Sequence, residues 1–343
     1  GCGRCLVDGQ WRLGGDGKLA GSLSAFTRGR LRVPVDAVLT RILAFPPSVV
    51  GLFLTREGLY VSLLLLLRHG GILMISGRAT LIAHLGFPTD TFASSSLCNP
   101  WFDRNGYDAA VIPMSARAEG YPGLFRSLFA LTNLRGALVT MPHKVTTMDL
   151  VDEVSPAAAI AGATNAVVKR EDGSLLADQF DGAGFVRALA RKGFDPEGKR
   201  VMIVGTGGVG SAIAASLAGA QVGELSLSNR RRASAEELSR RLEAHYPAVR
   251  TGLGTDDPHG FDLIVNATSL GTHAGDPLPL DLHDVTSTTF VADVVNKPGV
   301  TPFLASARER GCTIQPGRDM LLEMVPAYLA FFGYEGATAA DFA

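Results

Sequence analysis

Residues 201–212, Val-Met-Ile-Val-Gly-Thr-Gly-Gly-Val-Gly-Ser-Ala, constrain the fold of this chain more than any other stretch. Four apolar residues read as a buried parallel strand. A glycine turn follows, and residues 211–218 continue as a helix. This is the strand–turn–helix setting that a dinucleotide fingerprint requires. Gly205 permits the tight turn, Gly207 lets backbone approach a pyrophosphate, and Gly210 lets the helix pack close to the strand. The free N–H groups and dipole of the helix N-terminus then favour phosphate.

A second strand, residues 224–228, follows the helix and ends at Asn229-Arg230-Arg231-Arg232. An NAD site places an acidic residue about 20 residues beyond the glycines, on the ribose 2′-OH. Asn and arginines stand there instead, and guanidinium groups pair with phosphate in a fork. NADP is therefore expected, with NAD the less favoured alternative. The net charge of −1 gives no electrostatic case for nucleic acid or an anionic membrane. The four cysteines are too few for a disulfide framework and suit a reducing cytoplasm. Cys2 and Cys5 have metal-ligand spacing but no second pair, so no metal is expected.

The 343 residues suggest about two domains. Residues 1–73 differ from the rest and read as an extension outside the fold, disordered or artefactual. Their apolar runs, 48–55 and 59–67, are separated by Arg56 and Glu57, so neither reaches the roughly 18 apolar residues of a spanning helix. From Met74 strands and helices alternate, which argues for a parallel α/β sheet. Strands are expected at 79–85, 108–114 and 136–140, and helices at 94–104, 119–131 and 145–154. Leu124, Leu128 and Leu131 mark the inward face of the second helix. Residues 163–177 read as a hairpin. Beyond the fingerprint, strands at 261–265, 290–295 and 312–314 alternate with helices at 301–310 and 319–332.

Several ordered blocks bear on function: Val139-Thr140-Met141-Pro142-His143-Lys144, Ala161-Gly162-Ala163-Thr164-Asn165-Ala166, Asp181-Gly182-Ala183-Gly184-Phe185, Asn266-Ala267-Thr268-Ser269-Leu270-Gly271 and Gly317-Arg318-Asp319-Met320-Leu321. With the fingerprint, their order resembles the shikimate/quinate dehydrogenase family over about residues 78–335. The resemblance implies an α/β chain of two domains. Residues 74–181 would be an N-terminal α/β substrate-binding domain, with 319–335 packing back on it, and 182–318 a C-terminal Rossmann NADP-binding domain. It implies Lys144 and Asp181 as the catalytic pair and Ser94, Thr140 and Asn165 as substrate contacts. It places Gly205, Thr206, Gly207, Gly208 and Val209 at the pyrophosphate, Asn229, Arg230 and Arg231 at the 2′-phosphate, and Val294 and Gly317 at the nicotinamide. The implied partner is a small cyclic hydroxy acid or a related alcohol or ketone, with a homodimer as the open oligomeric option.

The chemistry suits those residues. Oxidising a secondary alcohol removes a hydride and a proton, and the nicotinamide takes only the hydride. A lysine or a carboxylate in a closing cleft can manage the proton; the sequence leaves open which of the two moves it. His143, beside Lys144, reads as a loop histidine. A binding protein without turnover is the alternative from another class, and a folate-type dehydrogenase is a third reading.

The chain departs from the family pattern in its substrate contacts. A Ser-x-Ser-Pro loop becomes Phe92-Ala93-Ser94-Ser95, retaining only Ser94. Leu138 replaces an asparagine, Phe180 a threonine, Asn296 a tyrosine and Met324 a glutamine. Each lost hydrogen bond to a charged group costs about 1.5–3 kcal/mol, so two losses weaken shikimate binding by roughly 10²–10⁴-fold. A substrate with a more apolar flank is expected.

Overall fold

The computed structural model describes residues 75–90, 92–254 and 257–343. The apolar runs before Met74 and the Cys2/Cys5 pair lie outside the described residues. Cys98 and Cys312 are buried free thiols.

The first sheet opens with β1 (Thr80–Gly86), α1 (Ser94–Arg104) and β2 (Ala109–Ser115), and continues through α2 (Tyr121–Phe129) to β3 (Leu134–Val139). Then come β4 (Glu153–Val154), α3 (Pro156–Ala161), β5 (Ala166–Lys169) and β6 (Leu175–Asp178). The sheet order is β2-β1-β3-β5-β6-β4. β1, β2 and β3 are parallel, as the alternation of strands and helices requires. β5 runs antiparallel to both β3 and β6, so this sheet is mixed. The hairpin between β5 and β6 causes this, because a short turn can join only antiparallel neighbours.

Two local expectations fail here. In α2 the inward face carries Tyr121, Phe125 and Phe129, all buried, while Leu131 is 43% exposed. Leu124 and Leu128 only flank that cluster. Both sets have helical spacing, and the aromatic set wins because each ring buries more area. Residues 145–154 do not form a long helix. A 3₁₀ turn covers Thr146–Leu150, Val151 is extended, and β4 joins β6. Val145, Thr146 and Thr147 are β-branched and lose side-chain freedom in a helix. Thr147 also donates its hydroxyl to the His143 carbonyl at 2.8 Å.

α4 (Asp181–Arg191) leads from the first sheet to the second. The second sheet comprises β7 (Arg200–Val204), α5 (Gly208–Gly219), β8 (Glu224–Ser228), α6 (Arg232–His245) and β9 (Arg250–Leu253). β10 (Leu263–Asn266), β11 (Phe290–Asp293), α7 (Pro302–Glu309) and β12 (Thr313–Gln315) complete it. Its order is β12-β11-β10-β7-β8-β9, and every pairing is parallel. Strand order reverses between β7 and β10, the switch point where such sheets bind ligands at their carboxyl ends.

The last helix, α8 (Gly317–Phe331), lies against α4. Gly184 makes the approach possible, since a Cβ there would sit 2.4 Å from Met324 Cγ. Beyond α8 the chain reaches the first sheet. Arg135 donates from Nε to the Phe332 carbonyl at 3.0 Å, and the Tyr334 ring lies 4.8 Å from Phe102. Met324, Tyr328 and Phe332 share one buried cluster with Trp101 and Phe102 of α1.

Candidate active site

Lys144 follows the carboxyl end of β3, and its carbonyl accepts from Thr164 N–H at 2.9 Å. The side chain is almost wholly buried, and Nζ donates to Asp181 Oδ2 in an ion pair. Asp181 is the first residue of α4 and is not its cap; the cap position is Phe180. The carboxylate is thereby free of local capping and lies in the first helical turn, where the dipole favours negative charge. Its other oxygen accepts from Asn165 Nδ2 at 2.9 Å. The same amide donates to Tyr328 Oη at 2.7 Å, and Asn165 Oδ1 accepts from Phe180 N–H at 2.9 Å. Burial, then the Asp181 charge, pushes the Tyr328 phenol well above its ordinary value, so it stays protonated. Lys144, Asp181, Asn165 and Tyr328 thus form one satisfied chain of polar groups.

These groups border a cavity of about 170 Å³. Thr140 and Ser94 also line it, which brings together all five residues expected at the catalytic and substrate positions. Phe92, Leu138, Asn296 and Met324 line it as well, so four of the five departures face the ligand space. Phe180 does not. Its ring packs at 5.4 Å on Tyr328 and 5.2 Å on Phe331. His143 is also outside the lining. It is buried, stacked on Tyr121 with centroids 3.7 Å apart, and bonded through Nε2 to the Ala116 carbonyl at 2.8 Å.

Two lining residues escape the sequence reading, His84 and Tyr328. His84 Nδ1 is hydrogen-bonded to Ser94 Oγ, and its ring stacks on Phe92 with centroids 4.0 Å apart. Burial, then the Lys144 charge, lowers its pKa from 6.5 to about 3. The signal for it is one titratable residue inside an apolar strand, Thr-Leu-Ile-Ala-His-Leu-Gly. Tyr328 is hidden among the apolar residues of α8, and only its contact with Asn165 reveals it.

The fingerprint has the geometry its glycines suggest. Gly205 has φ +103°, and a Cβ on Gly210 would lie 1.9 Å from the Gly205 carbonyl oxygen. Gly207 is exposed, and a Cβ there would meet nothing within 4 Å. It is the N-cap of α5 and provides no side-chain cap, so no capping side chain takes up the first N–H groups. Val209 is half-buried in that first turn. Thr206 is buried and its hydroxyl has no partner, an orphan that a bound phosphate would satisfy. A Cβ on Gly208 would lie 3.2 Å from Lys144 Cδ, so the glycine loop adjoins the ion pair.

At the end of β8, Asn229 donates from Nδ2 to the Arg231 carbonyl at 3.2 Å. Arg230 and Arg231 are exposed, and among the described residues neither makes an ion pair, whereas Arg232 is paired with Glu236 at 2.9 Å. Two unpaired guanidiniums and no acid fit a 2′-phosphorylated dinucleotide. Gly317 and Val294 are adjacent, since a Cβ on Gly317 would be 2.5 Å from the Val294 carbonyl oxygen. No group of three or more His, Cys, Asp or Glu residues suited to a metal occurs among the described residues. None of their helices is long and apolar enough to cross a membrane.

The family model of the shikimate dehydrogenase substrate binding domain matches residues 85–167, and that of shikimate/quinate 5-dehydrogenase matches residues 188–273. The NADP⁺ shikimate dehydrogenase of Rubrobacter xylanophilus is 37% identical over 267 residues, covering 76% of this chain and 93% of that protein. Shikimate 5-dehydrogenase from Listeria monocytogenes, solved with shikimate and NAD, is 28% identical with a TM-score of 0.71, covering 78% of this chain and 96% of that one. The ligand-free 5-ketofructose reductase of Gluconobacter sp. strain CHM43 is also 28% identical, with a TM-score of 0.70 and coverage of 78% and 97%.

Proposed function

Because this chain belongs to the shikimate dehydrogenase family, we propose that Lys144 and Asp181 catalyse its reaction in the cavity between β1, β3 and α4. The protein is an NADP-dependent oxidoreductase acting on a CH–OH group of a shikimate-type ring compound. The observation that carries the site assignment is the buried Lys144–Asp181 pair beside the glycine loop.

Bound NADP⁺ supplies a hydride acceptor. Gly205, Thr206, Gly207, Gly208 and Val209 would hold its pyrophosphate, and Asn229, Arg230 and Arg231 its 2′-phosphate. Val294 and Gly317 would border the nicotinamide. The substrate hydroxyl meets Lys144 Nζ and Asp181 Oδ2, which together hold its proton and take it as the carbonyl forms. Asn165 fixes the carboxylate so that the pair keeps one orientation. Thr140 and Ser94 offer hydroxyls to the ring substituents. In the reverse direction the same pair returns the proton.

Residues 74–181 serve as the substrate domain, with 319–335 returning to it, and residues 182–318 as the cofactor domain. A cytoplasmic location and a homodimer accompany this reading; sedimentation of the full chain tests the second. The catalytic assignment is tested by NADP⁺ reduction in wild type and Lys144→Ala. Loss of turnover with NADPH binding retained supports it. Equal turnover in the two proteins refutes it.

A further inference from the structure

His84 is a titratable group at the cavity that the proton-transfer chemistry above does not use. It lies on β1 and lines the cavity together with Phe92, on which its ring stacks, and the Lys144–Asp181 pair. Its Nδ1 is engaged with Ser94 Oγ, while Nε2 has no partner among the described residues and is not sealed off. Nε2 is therefore the imidazole atom available to a ligand.

The charge balance of the cavity narrows what that ligand group can be. Among the described residues, the only charged groups lining it are Lys144 and Asp181, and they are paired with each other. Burial and the Lys144 charge hold the imidazole neutral. Phe92, Leu138 and Met324 offer no donor on the surrounding walls. Thr140 and Asn296 bring neutral polar groups to the same lining, and the hydroxyl bonded to His84, that of Ser94, shares its hydrogen bond with the imidazole. In either imidazole tautomer the pair presents one donor and a few lone pairs, without positive charge. That suits a group which both donates and accepts. A carboxylate there would surrender its hydration for a single neutral donor.

We infer that His84 is a substrate-contacting specificity residue, and that the ring substituent it receives is uncharged: a hydroxyl, carbonyl or amide in place of a carboxylate. This rests on the oxidoreductase reading above and adds the polarity of the substrate to it.

The test is steady-state NADP⁺ reduction by the full chain with two probes: shikimate, and its carboxamide, which has the same shape without the charge. The carboxamide is expected to be the better substrate by about 10-fold in kcat/KM, mainly through KM. His84→Val should raise KM for the carboxamide about 10-fold and bring the two probes close to parity, with NADPH affinity unchanged. His84→Gln, which keeps a donor and an acceptor, should restore part of the preference. A wild-type ratio near one or favouring shikimate overturns the inference and leaves the oxidoreductase reading intact. So does a carboxamide preference that survives His84→Val and His84→Gln unchanged. Turnover of neither probe overturns the inference as well, and turnover of either probe that Lys144→Ala leaves unchanged brings down the catalytic assignment with it.

Discussion

The half of this molecule around the glycine fingerprint and the half around the Lys144–Asp181 pair use their residues differently. Around β7 and α5 the site is made of backbone: a positive-φ glycine, a close carbonyl contact at Gly210 and N–H groups without a side-chain cap. Around β1, β3 and α4 it is made of side chains: one ion pair, one amide, and rings that fill or shape a cavity. Backbone geometry admits few residue types, so that half retains a recognisable sequence. A side-chain cavity can be relined without altering the fold. The four cavity-facing departures show that freedom, since Phe92, Leu138, Asn296 and Met324 alter the lining of the cavity while β1 and β3 keep their pairing.

The strongest way to break this comparison is Lys144→Ala. It should lower kcat by about 10³-fold, the usual scale for a lost acid–base group, and leave NADPH affinity within about threefold by fluorescence titration. A large loss of NADPH affinity would mean that the two halves do not separate.

Gly210→Ala probes the backbone half. Its Cβ would meet the Gly205 carbonyl oxygen, and the helix must shift, costing about 3 kcal/mol. Chemical denaturation should show that loss, and cofactor affinity should fall with it. Arg230→Ala with Arg231→Ala should reduce the preference for NADP⁺ over NAD⁺ by about 10–100-fold, as charge-assisted bonds are lost, without changing kcat for either cofactor. An unchanged preference would remove these guanidiniums from the 2′-phosphate.

The smallest effect is the acid sensitivity of the half around the Lys144–Asp181 pair. His84 has a folded pKa of about 3 against an ordinary 6.5. Its neutral form is favoured in the folded state, so its contribution is complete above pH 6.5 and is lost as pH falls toward 3. A fully sealed imidazole would cost about 2 kcal/mol at pH 5. The edge open to the cavity reduces this to about 1 kcal/mol. Denaturation at pH 7 and pH 5 should show wild type losing that much more stability than His84→Gln.

The same division explains what is legible in the sequence. The glycine fingerprint foretells a strand, a turn and a helix because the turn has almost no other chemical solution. The ordered blocks around Lys144, Asn165 and Asp181 locate residues that the fold brings into one cavity. Helix α2 is misread because leucine and aromatic faces share the same periodicity, and only packing against β3 chooses between them. The 145–154 segment is misread because its fate depends on β6, a strand that follows later in the chain. Tyr328 is invisible for a similar reason: its role depends on Asn165, 163 residues away.

The return of the last helix also has a consequence in time. Arg135 and Phe332, joined by a hydrogen bond from the guanidinium to the backbone carbonyl, are 197 residues apart. At roughly 5–20 residues per second of synthesis, that separation is about 10–40 s. Throughout that interval the α1 face bearing Trp101 and Phe102 waits without Met324, Tyr328 and Phe332. The nascent first sheet therefore keeps that apolar face uncovered until the last helix has been made.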